Sequence, residues 1–131
     1  KTYLGIVLGE FQKKSGDLTD ELFHYEGNKK ITTRAITHFD VIDSNNNYSF
    51  LKLNPLTGRK HQLRKQLLIH GHPVFGDSKY RFSKNYLNKK HSLMLHAYKI
   101  NFSIAGNKYK YQAELPTAFK KFLKEKYLKI L

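Results

Sequence analysis

The densest set of residues able to do chemistry lies between Asn54 and Tyr80. There Thr57-Gly58-Arg59-Lys60-His61-Gln62-Leu63-Arg64-Lys65 is followed closely by Gly71-His72-Pro73-Val74-Phe75-Gly76-Asp77-Ser78-Lys79-Tyr80. Cations and hydrogen-bond donors at this density suit a polyanion. The spacing predicts a helix from Arg59 to His70, with Thr57 as its cap, Gly71 as a left-handed stop and Pro73 just beyond. On that helix Lys60 and Arg64 are four apart, as are His61 and Lys65, so each pair shares a face. Leu63, Leu67 and Leu68 form a narrow stripe to bury, and the helix N-terminus adds partial positive charge beside Thr57-Gly58. A helix with its bases merely in solvent shows the same pattern. Against that plain reading stand Gly58, whose place before Arg59 predicts a close backbone approach, and Gly71, Pro73 and Gly76, which demand particular backbone geometry among many polar side chains. Such glycines shape either a site or a packed crossing, and spacing leaves both open.

Other chemistries fit less well. His61, His70, His72 and His96 coexist with Asp77, but their spacing matches no zinc arrangement, and a cationic setting opposes a divalent ion, so no metal site is expected. Ser78 has no nucleophile elbow around it and reads as a loop residue. The chain has no cysteine, which excludes disulfides and thiol catalysis and fits a reducing, cytoplasmic setting.

The elements that must hold this stretch read as sheet. Residues 3–9 form an apolar, β-branched run between glycines, the pattern of a strand covered on both faces. Residues 11–30 are polar, with turn signals and one short strand around Glu21 to Tyr25. Ala35 to Asp43 alternates as a strand, Asn45-Asn46-Asn47 turns, and Tyr48 to Leu53 returns to deliver the chain into the basic stretch. Ser92 to Ile104 and Tyr109 to Leu115 read as a further hairpin about Ala105-Gly106-Asn107. A last helix comes after Pro116, capped by Thr117, with Phe119, Phe122, Leu123 and Tyr127 on its core face. The fold class is therefore α+β, a largely antiparallel or mixed sheet with two or more helices in one domain over residues 1–131.

The formal charge is +14, and from Lys52 to Lys90 ten bases stand against one acid, Asp77. With Phe75, Tyr80, Phe82 and Tyr86 interleaved, that skew points to a phosphate-rich partner, RNA or DNA. No apolar run approaches the roughly 20 residues of a membrane span, so no membrane is expected.

The two halves of the Asn54–Tyr80 stretch closely resemble the C-terminal motif of RluA-type pseudouridine synthases, and further matches run along the whole chain: Lys1 and Tyr3 with Gly9, Ala35 with Thr37, and Leu95-His96-Ala97 with Phe102. The resemblance implies an RNA-modifying isomerase of the pseudouridine synthase catalytic fold, acting on ribosomal or transfer RNA without metal or organic cofactor. In that family an aspartate within His-Arg-Leu-Asp acts on the ribose of a flipped-out uridine, so that the base detaches, rotates and reattaches through carbon. Carried over by position, Arg64 resembles the basic residue that pairs with this aspartate, Tyr3 the tyrosine that packs on the target base, and Leu63 the apolar residue beside them. The chemistry agrees: a carboxylate in a dry pocket needs a fixed cation, and an extruded base needs a flat partner to offset lost stacking. Arg59, Lys60, His61 and Lys65 are then RNA-binding candidates on the motif, and Lys79, Arg81, Lys84, Lys89 and Lys90 candidates for the RNA backbone.

Two departures stand out. No His-Arg-Leu-Asp occurs; Asp17, Asp20, Asp40 and Asp43 lie in predicted turns or strands, and Asp77 matches the family's Gly-Asp-x-x-Tyr position instead of the catalytic one. The expectation is therefore the C-terminal portion of a catalytic domain, inactive without the segment that carries the nucleophile. Its exposed sheet would be prone to self-association. The alternative is a non-catalytic RNA-binding module with the same fold. The second departure is Lys65-Gln66 where many relatives carry Val-His, which is expected to alter only the helix's solvent face.

Overall fold

The structure, a computed structural model, describes residues 1–83 and 92–131. Its centre is β1 (Thr2–Leu8), flanked on one side by β4 (Tyr48–Pro55), β3 (Lys29–Ser44) and β2 (Ser15–Glu26), and on the other by β5 (Leu95–Ile104) and β6 (Asn107–Gln112). The sheet order is β2-β3-β4-β1-β5-β6, with every neighbouring pair antiparallel. Helix α1 (Gln62–Ile69) packs on one face and α2 (Thr117–Glu125) on the other. The α+β reading of the sequence holds.

The alternation of side chains divides β1 between two cores. Leu4 and Ile6 join Phe50, Met94, Phe119, Phe122 and Leu123 on the α2 side. Val7 joins Phe39, Leu51, Leu53, Leu63 and Leu67 on the α1 side, with Tyr3 and Leu95 at its margin. A strand covered on both faces must read as the continuous apolar run that residues 3–9 show.

Five local expectations are corrected. The short strand around Glu21 to Tyr25 is the end of a twelve-residue strand paired with β3 from Ser15↔Asp40 to Glu26↔Lys29. Only Leu18 and Leu22 of β2 are buried, so its polarity hid it. Thr117 is the first helical residue of α2, with Pro116 at the cap position and no side-chain cap. Tyr127 leaves the apolar stripe altogether: it lies just past the helix at φ 57° and is 95% exposed. Leu68 is only half-buried beside the fully buried Leu67.

The fifth correction concerns Gln66. Far from the solvent face, its side chain is fully buried. Its amide nitrogen donates to Leu18 O (3.1 Å), Ala35 O (3.1 Å) and Asp20 Oδ2 (3.0 Å), and its carbonyl accepts the Thr37 hydroxyl. Gln66 thus ties α1 to β2 and β3. Gln66→Leu would leave buried polar groups without partners, and about 2–4 kcal/mol of stability is expected to go. The measurement is a lowered urea midpoint at unchanged denaturant slope.

Candidate functional site

The loop from Pro55 to His61 does not use Thr57 as the helix cap. Thr57 Oγ1 accepts the Ile36 N–H (3.0 Å) and donates to Gln62 Oε1 (2.7 Å), which also accepts the Arg59 N–H (3.0 Å). Gln62 Nε2 in turn donates to Ile36 O (3.1 Å) and to Thr37 Oγ1 (2.9 Å). Thr57, Gln62, Thr37 and Gln66 form one hydrogen-bonded chain that clamps the loop and the helix start onto β3. Capping passes to His61, which sits in the left-handed region at φ 52°, ψ 31° and makes no side-chain cap bond. Its ring turns outward to pair Nδ1 with the Tyr80 hydroxyl at 2.9 Å. A non-glycine residue in this conformation stores strain, and such strain gathers at functional sites.

One cavity of about 460 Å³ opens beside this clamp, with Lys1, Tyr3, Leu95 and the 55–59 loop on one side and His61, Gln62, Leu63 and Arg64 on the other. That volume lies within the range of small-molecule sites. Of the residues assigned from the sequence, Tyr3, Leu63, Arg64, Arg59 and His61 all line it. β1 brings Tyr3 there because Tyr3 pairs with Leu53 on one neighbour and Ala97 on the other, facing the α1 side. Among the described residues no Asp or Glu contributes to the lining. Gly58 lies on the rim, and a Cβ placed there would meet nothing within 4 Å, so the expected close approach of the protein's own backbone does not occur.

Arg64 makes the strongest polar contact of the site. Its Nε and Nη2 donate to Asp77 Oδ2 and Oδ1, each at 2.7 Å, and its Cζ lies 4.9 Å from the Tyr80 ring centre. The Arg64 side chain is 18% exposed and that of Asp77 is wholly buried. Asp77 Oδ1 also accepts the backbone N–H groups of Lys79 and Tyr80, both at 2.9 Å. Burial alone would raise the Asp77 carboxyl, but the Arg64 hydrogen bonds and the two backbone donors outweigh it and hold it below its ordinary value. The Asp77 hydrogen bond raises the Arg64 guanidinium still further. Arg64 therefore stays charged, fixed at one edge, with its remaining N–H groups available beside the cavity. His61 moves the other way: burial first, then the nearby Arg64, Lys60, Lys79 and Lys65 charges, lower its pKa and favour the neutral ring.

With the Asp77 carboxyl depressed, its contribution to stability is complete above the ordinary carboxylate pKa of about 3.9 and is lost as pH falls through the lower folded value. Urea midpoints measured downward from about pH 5 should drop more steeply for the parent than for Asp77→Asn, which has no proton to take up there.

The other predicted cations are spread out. Lys60 is exposed without lining the cavity. Lys65 lines a separate hollow of about 370 Å³ with Glu21, Leu22, Phe23, Leu68, Ile69 and Tyr80. Lys79 sits over the Tyr80 ring at 5.3 Å, and Arg81 Nη1 donates to Ser78 O at 2.6 Å. Lys84, Lys89 and Lys90 lie outside the described residues. The histidines weighed as metal ligands have separate partners: His70 meets Asp20, His72 meets Leu8 O, and His96 meets Ala113 O. Among the described residues no helix is long and apolar enough to cross a membrane.

Sequence reasoning missed three residues that hold the site: Gln62, Thr37 and, as the partner of Arg64 within this chain, Asp77. The usable signal was polarity at the core-facing helix positions 62 and 66, which only buried partners can satisfy.

The family model described as RNA pseudouridylate synthase matches residues 1–68, just over half of the chain. Ribosomal large subunit pseudouridine synthase D of Borreliella burgdorferi is 33% identical over 135 residues, covering 97% of this chain and 41% of that protein. Dual-specificity RNA pseudouridine synthase RluA of Haemophilus influenzae is 35% identical over 88 residues, covering 61% of this chain and 40% of that protein. The chain thus spans about two fifths of the curated relatives it matches. Among solved structures, human RNA pseudouridylate synthase domain containing 4 superposes with a TM-score of 0.80 at 22% identity, over 98% of this chain and 62% of that one, a likeness of fold. With the matched family model, these relatives and the convergence of Tyr3, Leu63 and Arg64 on one cavity, the chain belongs to the RNA pseudouridylate synthase family, in its RluA-type branch.

Proposed function

We propose that this chain supplies the uridine pocket and much of the RNA-binding face of a pseudouridine synthase, while the nucleophilic aspartate comes from a His-Arg-Leu-Asp segment not contained in these 131 residues. The observation that carries the reading is a cavity that gathers Tyr3, Leu63 and Arg64 and, among the described residues, no carboxylate. In this reading an extruded uracil lies against Tyr3 and Leu63. Arg64, anchored to Asp77 along one edge, offers its other N–H groups to the incoming aspartate and keeps it ionised. The aspartate acts on the ribose, the bond from ribose to the base nitrogen breaks, the base turns within the cavity, and the new bond forms to carbon, whose hydrogen leaves as a proton while the freed nitrogen takes one up. Every step uses protein side chains, without metal or organic cofactor.

Ribosomal RNA is the preferred substrate, on the strength of the names of the large-subunit relatives, and the absence of cysteine fits action in the cytoplasm. The chain alone should bind unmodified ribosomal RNA with an affinity that falls steeply with salt, each neutralised phosphate contributing a slope of roughly 0.7–0.9 in log K against log salt. It should form no pseudouridine. Joined to a His-Arg-Leu-Asp segment, it should release tritium from 5-tritiated uridine in that RNA. A flat salt response would remove the phosphate argument. Salt-sensitive binding without turnover by the joined protein would favour the non-catalytic RNA-binding module.

A further inference from the structure

The pairing of β1 with β5 slips by one residue: Tyr3 faces Ala97, but Thr2 faces Lys99, so Tyr98 is an extra residue in β5. Such a bulge re-aims the side chains beyond it. Before it, Leu95 and Ala97 lie on the Tyr3 side of the sheet, and at it Tyr98 packs with the α2-side core. After it, Lys99 takes the face of Thr2, and Ile100 swings to the face of Tyr3. A second cavity of about 260 Å³ shares Lys1 and Tyr3 with the first and is lined further by Ala97, Tyr98, Lys99, Ile100, Tyr111 and Ala113, so Ile100 and Tyr111 border the same hollow as Tyr3.

From there the β5–β6 pairing carries the same face outward through Ile100↔Tyr111 and Phe102↔Tyr109. Phe102 stacks with Tyr109 (centroids 5.2 Å, planes 18° apart) and with Tyr111 (6.0 Å, 19°). Tyr111 nevertheless remains 61% exposed, Tyr109 38% and Phe102 37%. Aromatic rungs help to hold a two-stranded ribbon together, but that purpose does not require them to stand open to solvent on the side of the uridine pocket. No acid occurs between Leu95 and Ala113, and exposed Lys99, Lys108 and Lys110 lie on the opposite face of the ribbon.

We infer that the Tyr111–Phe102–Tyr109 array is a stacking platform for unpaired RNA bases next to the target nucleotide, with Tyr111 taking the base nearest the pocket. The inference rests on the RNA reading above and extends it from one flipped base to its neighbours in the strand. An exposed aromatic array that is free of acids and continuous with the pocket, on a ribbon whose lysines lie on its other face, suits single-stranded nucleic acid, since every base has a face to stack.

The test compares an oligouridylate with an abasic oligomer of the same length, which keeps the phosphates and lacks the bases. Tyr111→Ala should weaken oligouridylate binding about tenfold and leave the abasic oligomer unaffected, while Tyr111→Phe should bind as the parent does. Because the chain has no tryptophan, Tyr111→Trp adds a single reporter whose emission should be quenched by oligouridylate and not by the abasic strand. That readout decides the matter if Tyr111→Ala disturbs the ribbon. Parental affinity of Tyr111→Ala for oligouridylate, or equal quenching by both strands, would overturn the platform while leaving phosphate binding intact. Failure of the parent to bind either strand would overturn the RNA reading and the platform together. A parent dimer that Tyr111→Ala converts to monomer in sedimentation would assign the face to a second copy of the chain and overturn the inference.

Discussion

Arg64→Met, placed in a protein that joins this chain to a His-Arg-Leu-Asp segment, is expected to reduce pseudouridine formation about a thousandfold or more while leaving most of the RNA affinity. The first effect is that of removing a preorganised charge from a site where charge develops. The second arises because Arg64 is one cation among 24 Lys and Arg residues. The same change strands the fully buried Asp77 carboxylate without its bidentate partner. Breaking such a pair costs about 3 kcal/mol, so lost activity must be separated from lost fold. Asp77→Asn provides the separation: it weakens the same pair and leaves the guanidinium in place. If Asp77→Asn loses stability but keeps measurable tritium release well below its melting temperature, and Arg64→Met shows none there, Arg64 acts on the reaction. Turnover in the two variants that simply tracks their stability would reduce Arg64 to a structural partner of Asp77.

Gly76→Ala should be the most destabilising single substitution in the loop beyond α1. Gly76 has φ +83°, and a Cβ there would lie 2.1 Å from Ser92 O and 2.7 Å from Ser92 C. Both neighbours are backbone, so no rotamer change relieves the clash; the chain before β5 would have to move. Left-handed strain and overpacking together place the expected loss at about 3–5 kcal/mol. Gly71→Ala is the internal control. Its φ is +84°, but nothing lies within 4 Å of the added Cβ, so only the conformational penalty of about 1–2 kcal/mol applies. Chemical denaturation of both variants checks the difference, and equal losses would refute the role of the Ser92 contact. Because Gly76 immediately precedes Asp77, a folded Gly76→Ala protein should also lose part of the Arg64–Asp77 geometry.

These sites show which features the sequence made legible. Gly71 ends α1 in the left-handed conformation predicted for it, because a glycine beyond an amphipathic run has little other use. Tyr3, Leu63 and Arg64 were assigned by resemblance and meet at one cavity. The features that stayed hidden depended on distant partners. Gln66 looks like a solvent-facing helical residue until β2 and β3 arrive to bond it from 48 and 31 residues away. Thr57 looks like a cap until Ile36 supplies a better use for its hydroxyl. β2 carries too few apolar residues to show a period, and its length is set by the partner strand it copies.

The extra residue at Tyr98 has a wider consequence. Alternation along a strand works like a two-letter reading frame: every downstream side chain belongs to one side or the other according to parity, and one inserted residue shifts the frame for all of them. Here the frame shift delivers an aromatic array to the pocket side and sends the lysines to the reverse. The mutation that most completely exchanges those surfaces is therefore a one-residue deletion at the bulge. Among relatives of this chain, gaps at that position would alter what the ribbon presents to RNA more than any substitution along it.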